Sequence, residues 1–279
     1  MRLFNFLRRA PIDPEPVSML VSGPDGREAD MFSTEDTTRL HQLFETPRER
    51  RDDCWRSAFF TACWNASVFL SEPAYFHGPD GLPYFRLNLP QPGMRFEAHC
   101  LAGLASNCLA ANAGVAFFRD AADPIDCSQW VISMGDIDSL LRFGDANGDP
   151  VDAAEIASAA SNLRLGRMGS ANQGASEEPH SVLVGSPSRE FLPPHTARAL
   201  HRLMNSWGEP DPRVALVVDS QLRPSRNLVI GRKRSQFPDE KAAQFESTRV
   251  AWMVPLHRGF MLMPEDWRVR EMTRLSDLF

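Results

Sequence analysis

Apolar positions along this chain follow two periods, one typical of helices and one typical of strands. The longest helical pattern runs from about residue 48 to residue 68, and its apolar stripe consists of Trp55, Ala58, Phe59, Ala62, Cys63 and Ala66. Shorter patterns of the same period, with capping residues or glycines at their ends, predict further helices near residues 33–44, 96–113, 137–143, 194–207, 239–249 and 265–278.

Alternating or continuous apolar runs predict the strands. Residues 75–76 and 84–89 form a predicted hairpin around a polar turn that contains Gly78 and Gly81. In the returning strand Phe85, Leu87 and Leu89 alternate with Tyr84, Arg86 and Asn88, so we expect one face to pack and the other to meet solvent or a partner. Other strands are predicted at residues 17–22, 115–118, 130–134, 214–218, 227–231 and 259–263.

The order of these elements predicts an α+β protein with two lobes of mixed sheet and packed helices. We expect residues 17–160 to form an N-terminal α+β domain and residues 182–279 to form a C-terminal α+β domain. Residues 161–181 are rich in Gly, Ser, Asn and Ala, and they are the predicted linker. Both halves share the element order αββαβ, which a diverged duplication or a chance match would produce.

Part of the C-terminal half resembles a known family. The segment Val182-Leu183-Val184-Gly185-Ser186-Pro187 is followed by Phe191-Leu192-Pro193, a helix and two predicted strands. Over residues 182–264 this pattern resembles the C-terminal domain of the SseB (enhanced serine sensitivity) family. The resemblance implies a small α+β module that serves as a regulatory or interaction domain, and it implies no catalytic residue.

Composition and charge narrow the classes of function. The 30 Lys and Arg residues are outnumbered by 36 Asp and Glu, and the resulting formal charge of -6 argues against a nucleic-acid-binding protein. No apolar run approaches the roughly 20 residues that a membrane span needs. The five cysteines show no paired spacing, which favours a reducing compartment, and we therefore expect a cytoplasmic protein.

Few reactive side chains have the spacing that catalysis or metal binding requires. The histidines show no HExxH or HxH pattern, and the chain has no phosphate-binding glycine loop and no serine-hydrolase elbow. We therefore predict no cofactor and no metal. Asp145, Asn147 and Asp149 resemble the first ligands of a calcium loop, but Pro150 stands where such a loop needs Gly.

An enzyme remains the alternative function. An uncatalogued hydrolase or transferase could use a Cys/His site, for which His99 and Cys100 are candidates near a predicted helix start. It could instead use a site lined by aspartates, and the candidates are Asp120, Asp123, Asp126, Asp136 and Asp138.

Arginine is the main candidate for binding. The chain contains 28 Arg and two Lys, a ratio that either genomic base composition or recognition of carboxylates and phosphates would produce. A cationic run without an acid lies between Asp219 and Asp239. The predicted binding residues are four arginines of this run and two residues of the hairpin: Arg223, Arg226, Arg232, Arg234, Tyr84 and Arg86. We expect Tyr84, Arg86, Arg226 and Arg232 to be exposed.

These observations together favour a non-enzymatic, cytoplasmic regulatory or protein-interaction protein. Its expected partner is another protein or an acidic ligand, and its oligomeric state is left open.

Overall fold

The computed structural model describes residues 32–144, 160–168, 180–219, 225–255, 258–267 and 272–279, and the fold is α+β. Within these residues, six α-helices accompany two mixed sheets, one of four strands and one of six. The predicted fold class is therefore confirmed. No helix in the described ranges combines the length and the apolarity that crossing a bilayer demands.

The first half of the chain contains four helices and the four-stranded sheet. Its elements are, in chain order, α1 (Thr34–Glu45), α2 (Asp53–Asn65), β1 (Phe69–His77), β2 (Pro83–Asn88), α3 (Leu101–Ala111), β3 (Gly114–Phe118), β4 (Trp130–Ile132) and α4 (Met134–Phe143). The strands lie in the order β1-β2-β3-β4, with β2 parallel to β3 and the other neighbours antiparallel. The side chains of Ser33, Asp52 and Ser133 each accept a backbone N–H in the first turn of α1, α2 and α4, so local sequence defines these helix starts.

The second half contains two helices and the six-stranded sheet. Its elements are β5 (Ala160–Met168), β6 (His180–Pro187), α5 (Pro194–Ser206), β7 (Arg213–Val218), β8 (Arg226–Lys233), α6 (Glu240–Met253), β9 (Gly259–Met263) and β10 (Thr273–Arg274). The strands lie in the order β5-β6-β7-β8-β9, and β10 pairs with β7. Only β8 and β9 are parallel neighbours among these described strands.

The two halves repeat one topology. In both α2-β1-β2-α3-β3 and α5-β7-β8-α6-β9, a helix precedes an antiparallel hairpin, and a second helix leads to a strand parallel to the hairpin's second strand. In both units the last strand begins with a glycine. Gly114 begins β3 and pairs with Tyr84, and Gly259 begins β9 and pairs with Asn227. The shared αββαβ order thus extends to strand pairing and register, whereas common descent of the halves stays a prediction.

The linker prediction for residues 161–181 is wrong over its described part, residues 161–168 and 180–181, which lie in strands β5 and β6. Strand β5 pairs with β6 from Ala160 opposite Pro187 to Met168 opposite His180. Small residues on both sides hide the strand signal, which is confined to Leu163 and Leu165 around Arg164. Pairing with β6 decides the conformation there, and residues 169–179 lie outside the described ranges.

The terminal helix predicted over residues 265–278 is also absent from the described residues of that segment. Thr273 and Arg274 pair with Val214 and Arg213 of β7, and a short 3₁₀ helix follows at Leu275–Leu278. The apolar residues that predicted the helix are buried in another way. Leu275 and Leu278 pack into the core from the short 3₁₀ helix that follows β10. The strand predicted at residues 17–22 lies outside the described residues.

One apolar core extends through both halves. It includes residues from Leu40 in α1 to Leu278 near the end of the chain. In the first half, α1 and α2 place Phe44 and Phe59 within 6.1 Å and 5.6 Å of the Phe117 ring, measured between centroids. From the second half, Trp252 of α6 packs edge-on against Tyr84, with the ring centroids 5.7 Å apart. Helices α4 and α6 also contact each other directly.

Gly135 lies at a close approach of the two halves and supports a test of this packing. A Cβ atom at Gly135 would overlap the backbone carbonyl of Val254, which follows α6. Although alanine favours a helix by about 1 kcal/mol over glycine, we expect Gly135→Ala to lower the free energy of unfolding by about 2 kcal/mol because the backbones must separate. The measurement is urea denaturation of the full chain.

Gly144→Ala is the matched control for that substitution. Gly144 has a φ of 70° and open space around its Cα, so we expect only the conformational cost of about 1 kcal/mol. An equal or smaller loss for Gly135→Ala would contradict the close packing of α4 against the segment after α6.

Candidate functional site

Helix α5 opens the second αββαβ unit and is the scaffold of the candidate site. It begins after Pro193, with Pro194 in the first turn, a position where the missing N–H of proline costs nothing. Its buried stripe faces the core and consists of Thr196, Ala197, Ala199, Leu200, Leu203 and Met204. The helix contacts α3 and α6, so its orientation is fixed by both halves of the chain.

The opposite side of α5 is basic. Arg198 and Arg202 are exposed and His201 is half-buried, at the i, i+3 and i+4 spacing that brings side chains together on one helix face. We call Arg198, His201 and Arg202 the α5 basic face. Helix α5 contains no Asp or Glu, and within the described ranges no ion pair joins Arg198 or Arg202 to a carboxylate.

A buried carboxylate from α4 meets the first turn of α5. The Asp138 side chain is fully buried, and its Oδ1 lies 3.1 Å from Nε2 of His195. Its Oδ2 lies 3.4 Å from Nε of Arg142, one turn further along α4. One carboxylate therefore holds an imidazole from the second half beside a guanidinium from the first half, and we call these three residues the Asp138 cluster.

The Asp138 cluster leaves polar atoms with unused bonding capacity. No described residue accepts a hydrogen bond from Arg142 Nη2, and none bonds to the Nδ1 atom of His195. A buried carboxylate that accepts a hydrogen bond from one imidazole nitrogen orients the ring and leaves the lone pair of the other nitrogen available. The arrangement is thus able to support acid–base chemistry, and it also ties the two halves together.

Arg258 and Arg226 lie at the same junction as Arg142. Arg142 Nη1 and Arg258 Nη1 each donate to the carbonyl oxygen of Glu190, both at 2.8 Å. The guanidinium of Arg258 lies 4.6 Å from the centroid of the Phe191 ring, and that of Arg226 lies 5.7 Å from it. In the turn that leads into α5, the Glu190 carbonyl therefore binds two guanidinium groups and the Phe191 ring lies beside two.

Arg226 is the one predicted binding residue that the structure brings to this junction, but its expected exposure is wrong. It is only 2% exposed and opens strand β8. Its aliphatic stem and guanidinium are enclosed beside Phe191, because a planar, weakly hydrated cation packs well against a ring.

The expected exposure of Tyr84 and Arg86 is also wrong. Tyr84 donates a hydrogen bond to Asp80 at 2.7 Å and is covered by Trp252, and burial raises the pKa of its phenol further than the bond to Asp80 does. Arg86 is buried over the Phe118 ring and donates to the carbonyl oxygens of Ala121 and Asp123 at 2.9 and 2.6 Å. Both faces of β2 are therefore covered, one of them with polar side chains that bind the protein itself.

Of the other predicted arginines, Arg232 and Arg234 bind groups other than the residues of the α5 basic face. Arg232 donates to the carbonyl oxygens of Trp207 and Gln236, at 3.0 and 2.9 Å, and lies over the Phe237 ring. Arg234 is exposed and pairs with Glu240. Arg223 lies outside the described residues. Within the described part of the predicted cationic run, the arginines thus bind groups of the chain itself.

The candidate cysteine site is not assembled. Cys100 precedes α3 and is buried, and burial raises the pKa of its thiol despite backbone hydrogen bonds that act the other way. His99 lies in a backbone pair with Val68, and its ring contacts Glu97 at 4.0 Å. Burial also raises the pKa of Cys108, to about 12. Raised thiol pKa values oppose the thiolate that a nucleophile requires.

The candidate aspartates separate into different roles. Asp136 belongs to a reciprocal capping box with Ser133 at the start of α4, and burial raises its pKa. Asp120 and Asp123 stabilise their own loop by accepting backbone N–H groups. Only Asp138 meets a titratable partner across the fold. In the described ranges no group of three or more His, Cys, Asp or Glu residues could hold a metal, and Asp145, Asn147 and Asp149 lie outside those ranges.

Sequence reasoning missed the pairing of Asp138 with His195 and the importance of Arg198 and Arg202. A partial signal did exist, since Asp138 and Arg142 stand four residues apart in one predicted helix, which is the spacing of an ion pair. The basic side of α5 was equally visible as a 13-residue helix without an acid. The identity of the partner was not visible, because His195 is 57 residues away in sequence.

Comparison with known proteins adds no assignment. No family model, no curated protein and no solved structure matches the chain. The resemblance of residues 182–264 to the SseB family therefore stays a prediction. The function must be argued from the site itself rather than from kinship.

The Asp138 cluster leads to a stability prediction. Removing a buried carboxylate that contacts an imidazole and a guanidinium leaves both without their partner, so we expect Asp138→Asn to lower the free energy of unfolding by about 2 kcal/mol. In the Asp138→Asn background, His195→Gln has a smaller effect than in the wild type, because the two residues act as one unit. Denaturant unfolding of the four proteins of this cycle measures both quantities.

Asp211→Asn is the control for the same chemical change. Asp211 pairs with Arg213 at 2.6 Å but is about 42% exposed, and solvent screening limits the expected loss to about 0.5 kcal/mol. Additive effects of Asp138→Asn and His195→Gln would contradict an energetic link between the two halves at this point.

Proposed function

We propose that the protein is a non-enzymatic regulatory or interaction protein that binds an acidic segment of another protein through the α5 basic face. One observation carries the proposal: α5 presents Arg198, His201 and Arg202 on one side without any acid in the helix, although the whole chain has a formal charge of -6. A local excess of cations on an acidic protein attracts a partner of opposite sign to a defined place.

The burial pattern of the arginines supports this choice of surface. Arg86, Arg226 and Arg232 are engaged with backbone carbonyls or aromatic rings, and their charges are therefore used within the fold. Arg198 and Arg202 are exposed and form no ion pair in the described ranges. Arg202 Nη1 donates to the Asn112 side-chain oxygen at 2.9 Å, whereas Arg198 retains the paired N–H donors that recognise a carboxylate.

The rigidity of α5 supports the proposal as well. Its apolar stripe is part of the common core, and its first turn is tied to α4 through the Asp138 cluster. A binding surface on an element that is already ordered loses little conformational entropy when a partner binds. The proposed role is thus one of recognition. That the role is regulatory and that the protein is cytoplasmic are proposals that rest on the sequence pattern.

Charge reversal on α5 tests the proposal. We expect the double variant Arg198→Glu/Arg202→Glu to lose at least tenfold in capture of proteins that wild type takes from an extract of its native cells, because electrostatic complementarity becomes repulsion. The measurement is affinity capture with quantitative mass spectrometry at low and high salt. Specific partners also weaken as salt rises, since exposed charges are screened.

The matched control is Arg39→Glu/Arg95→Glu. Both arginines are exposed, lie outside α5 and produce the same change in net charge. This control is expected to retain the partners. Equal loss in both double variants, or full retention by the α5 variant, would argue against the basic face as the binding surface.

The hydrolase or transferase alternative is favoured by one specific observation, the contact of His195 with buried Asp138. A carboxylate-oriented imidazole is a common general base, and Arg142 would stabilise negative charge that develops beside it. The proposal of a binding protein predicts no turnover of p-nitrophenyl acetate or p-nitrophenyl phosphate above the rate of the His195→Gln variant. Turnover by wild type that falls at least a hundredfold in His195→Gln would instead establish the enzymatic function.

A further inference from the structure

Ser235 lies at the end of the basic run that follows strand β8. It belongs to a short 3₁₀ helix, Arg234–Gln236, and it is exposed to solvent. The three residues before it are Arg232, Lys233 and Arg234. A hydroxyl on the surface directly after three cations is the kind of substrate that an enzyme with an acidic binding groove selects by charge.

The same serine is the contact point for a second segment. Its backbone N–H and hydroxyl donate to the two carboxylate oxygens of Glu265, at 3.0 and 2.8 Å. Lys233 Nζ donates to the backbone oxygen of Glu265 at 2.7 Å. The backbone N–H of Ser235 contributes most to lowering the pKa of Glu265, followed by the hydroxyl, and Lys233 adds to both. We call this set of contacts the Glu265 clasp.

The Glu265 clasp holds a turn that covers an apolar sheet face. Glu265 lies in the turn from Pro264 to Trp267, where the Trp267 N–H donates to the Pro264 oxygen. Trp267 packs with Met261, Met263 and Met272 against a second, smaller apolar cluster, which is made of Val182, Val184, Ala215, Val217 and Val229. Release of Glu265 would therefore loosen the cover of this cluster.

We propose that Ser235 is a phosphorylation site and that its modification opens the Glu265 clasp. In the reaction, the Ser235 Oγ attacks the γ-phosphorus of a nucleoside triphosphate bound to a protein kinase. The new bond is Oγ–P, the bond between the γ-phosphorus and the oxygen that bridges it to the β-phosphate breaks, and the nucleoside diphosphate leaves. The hydroxyl proton passes to a base of the kinase.

The consequence follows from charge. A phosphoserine carries a charge of about -1.5 to -2 at neutral pH and can no longer donate its hydroxyl proton to Glu265. The carboxylate of Glu265, now opposite a like charge, is repelled. Lys233 and Arg234 are the neighbouring cations, and the new phosphate competes for them with their present partners, the Glu265 backbone oxygen and the Glu240 carboxylate. This regulation is independent of the α5 basic face.

The experiment uses the full chain, magnesium ATP and a purified serine/threonine kinase that prefers basic substrates. We expect one phosphate per chain, located on Ser235 by peptide mass spectrometry and absent from Ser235→Ala. In hydrogen exchange, we expect the amides of residues 265–267 to exchange about fivefold faster after phosphorylation. Phosphate on other serines while Ser235 stays unmodified would overturn the assignment.

Two variants test the clasp without a kinase. Ser235→Glu is expected to accelerate exchange at residues 265–267, and Glu265→Gln in the same chain is expected to remove most of the additional effect, because the repulsion is gone. Ser276→Glu is the control, since Ser276 is an exposed serine whose hydroxyl bonds to Asp277 rather than to Glu265. Equal acceleration in Ser276→Glu, or none in Ser235→Glu, would overturn the proposed opening.

Discussion

Burial of apolar side chains between the two αββαβ units is the interaction on which the remaining structure depends. Trp252 closes over Tyr84 and Gly114, and α4 meets the segment after α6 at Gly135. Apolar burial is roughly proportional to the area removed from water and has no preferred direction, so it holds the halves together without dictating their register. The contact of buried Asp138 with His195 adds a directional polar link between the halves.

Arginine provides many further polar contacts, within each half as well as between the halves. Arg86, Arg142 and Arg232 each donate to backbone carbonyls of loops or turns, and each lies near an aromatic ring. A guanidinium suits this task because it offers five donors in a fixed plane and loses less hydration than an ammonium group on burial. Many arginines of this chain therefore stabilise loops and turns. The exposed arginines that do not do so, such as Arg198, are the candidates for binding a partner.

Helix α5 contributes both to the common core and to the polar contacts between the halves. Its inner side is part of the common core, its first turn meets Asp138, and its outer side carries cations that the described chain does not neutralise. The Glu265 clasp lies elsewhere, at the end of β8. The proposed binding surface and the proposed phosphorylation site thus lie on different elements, so that substitutions in one leave the contacts of the other in place.

The sequence by itself determined the features that depend on neighbours a few residues away. The α+β class, the helix start at Ser33 and the αββαβ order all follow from local capping and periodicity. Only the tertiary structure decided that Tyr84 and Arg86 are covered, that residues 160–168 form a strand, and that Asp138 meets His195. Each of these depends on a partner distant in the chain, and periodicity carries no information about which distant segment will supply the missing surface, strand or counter-charge.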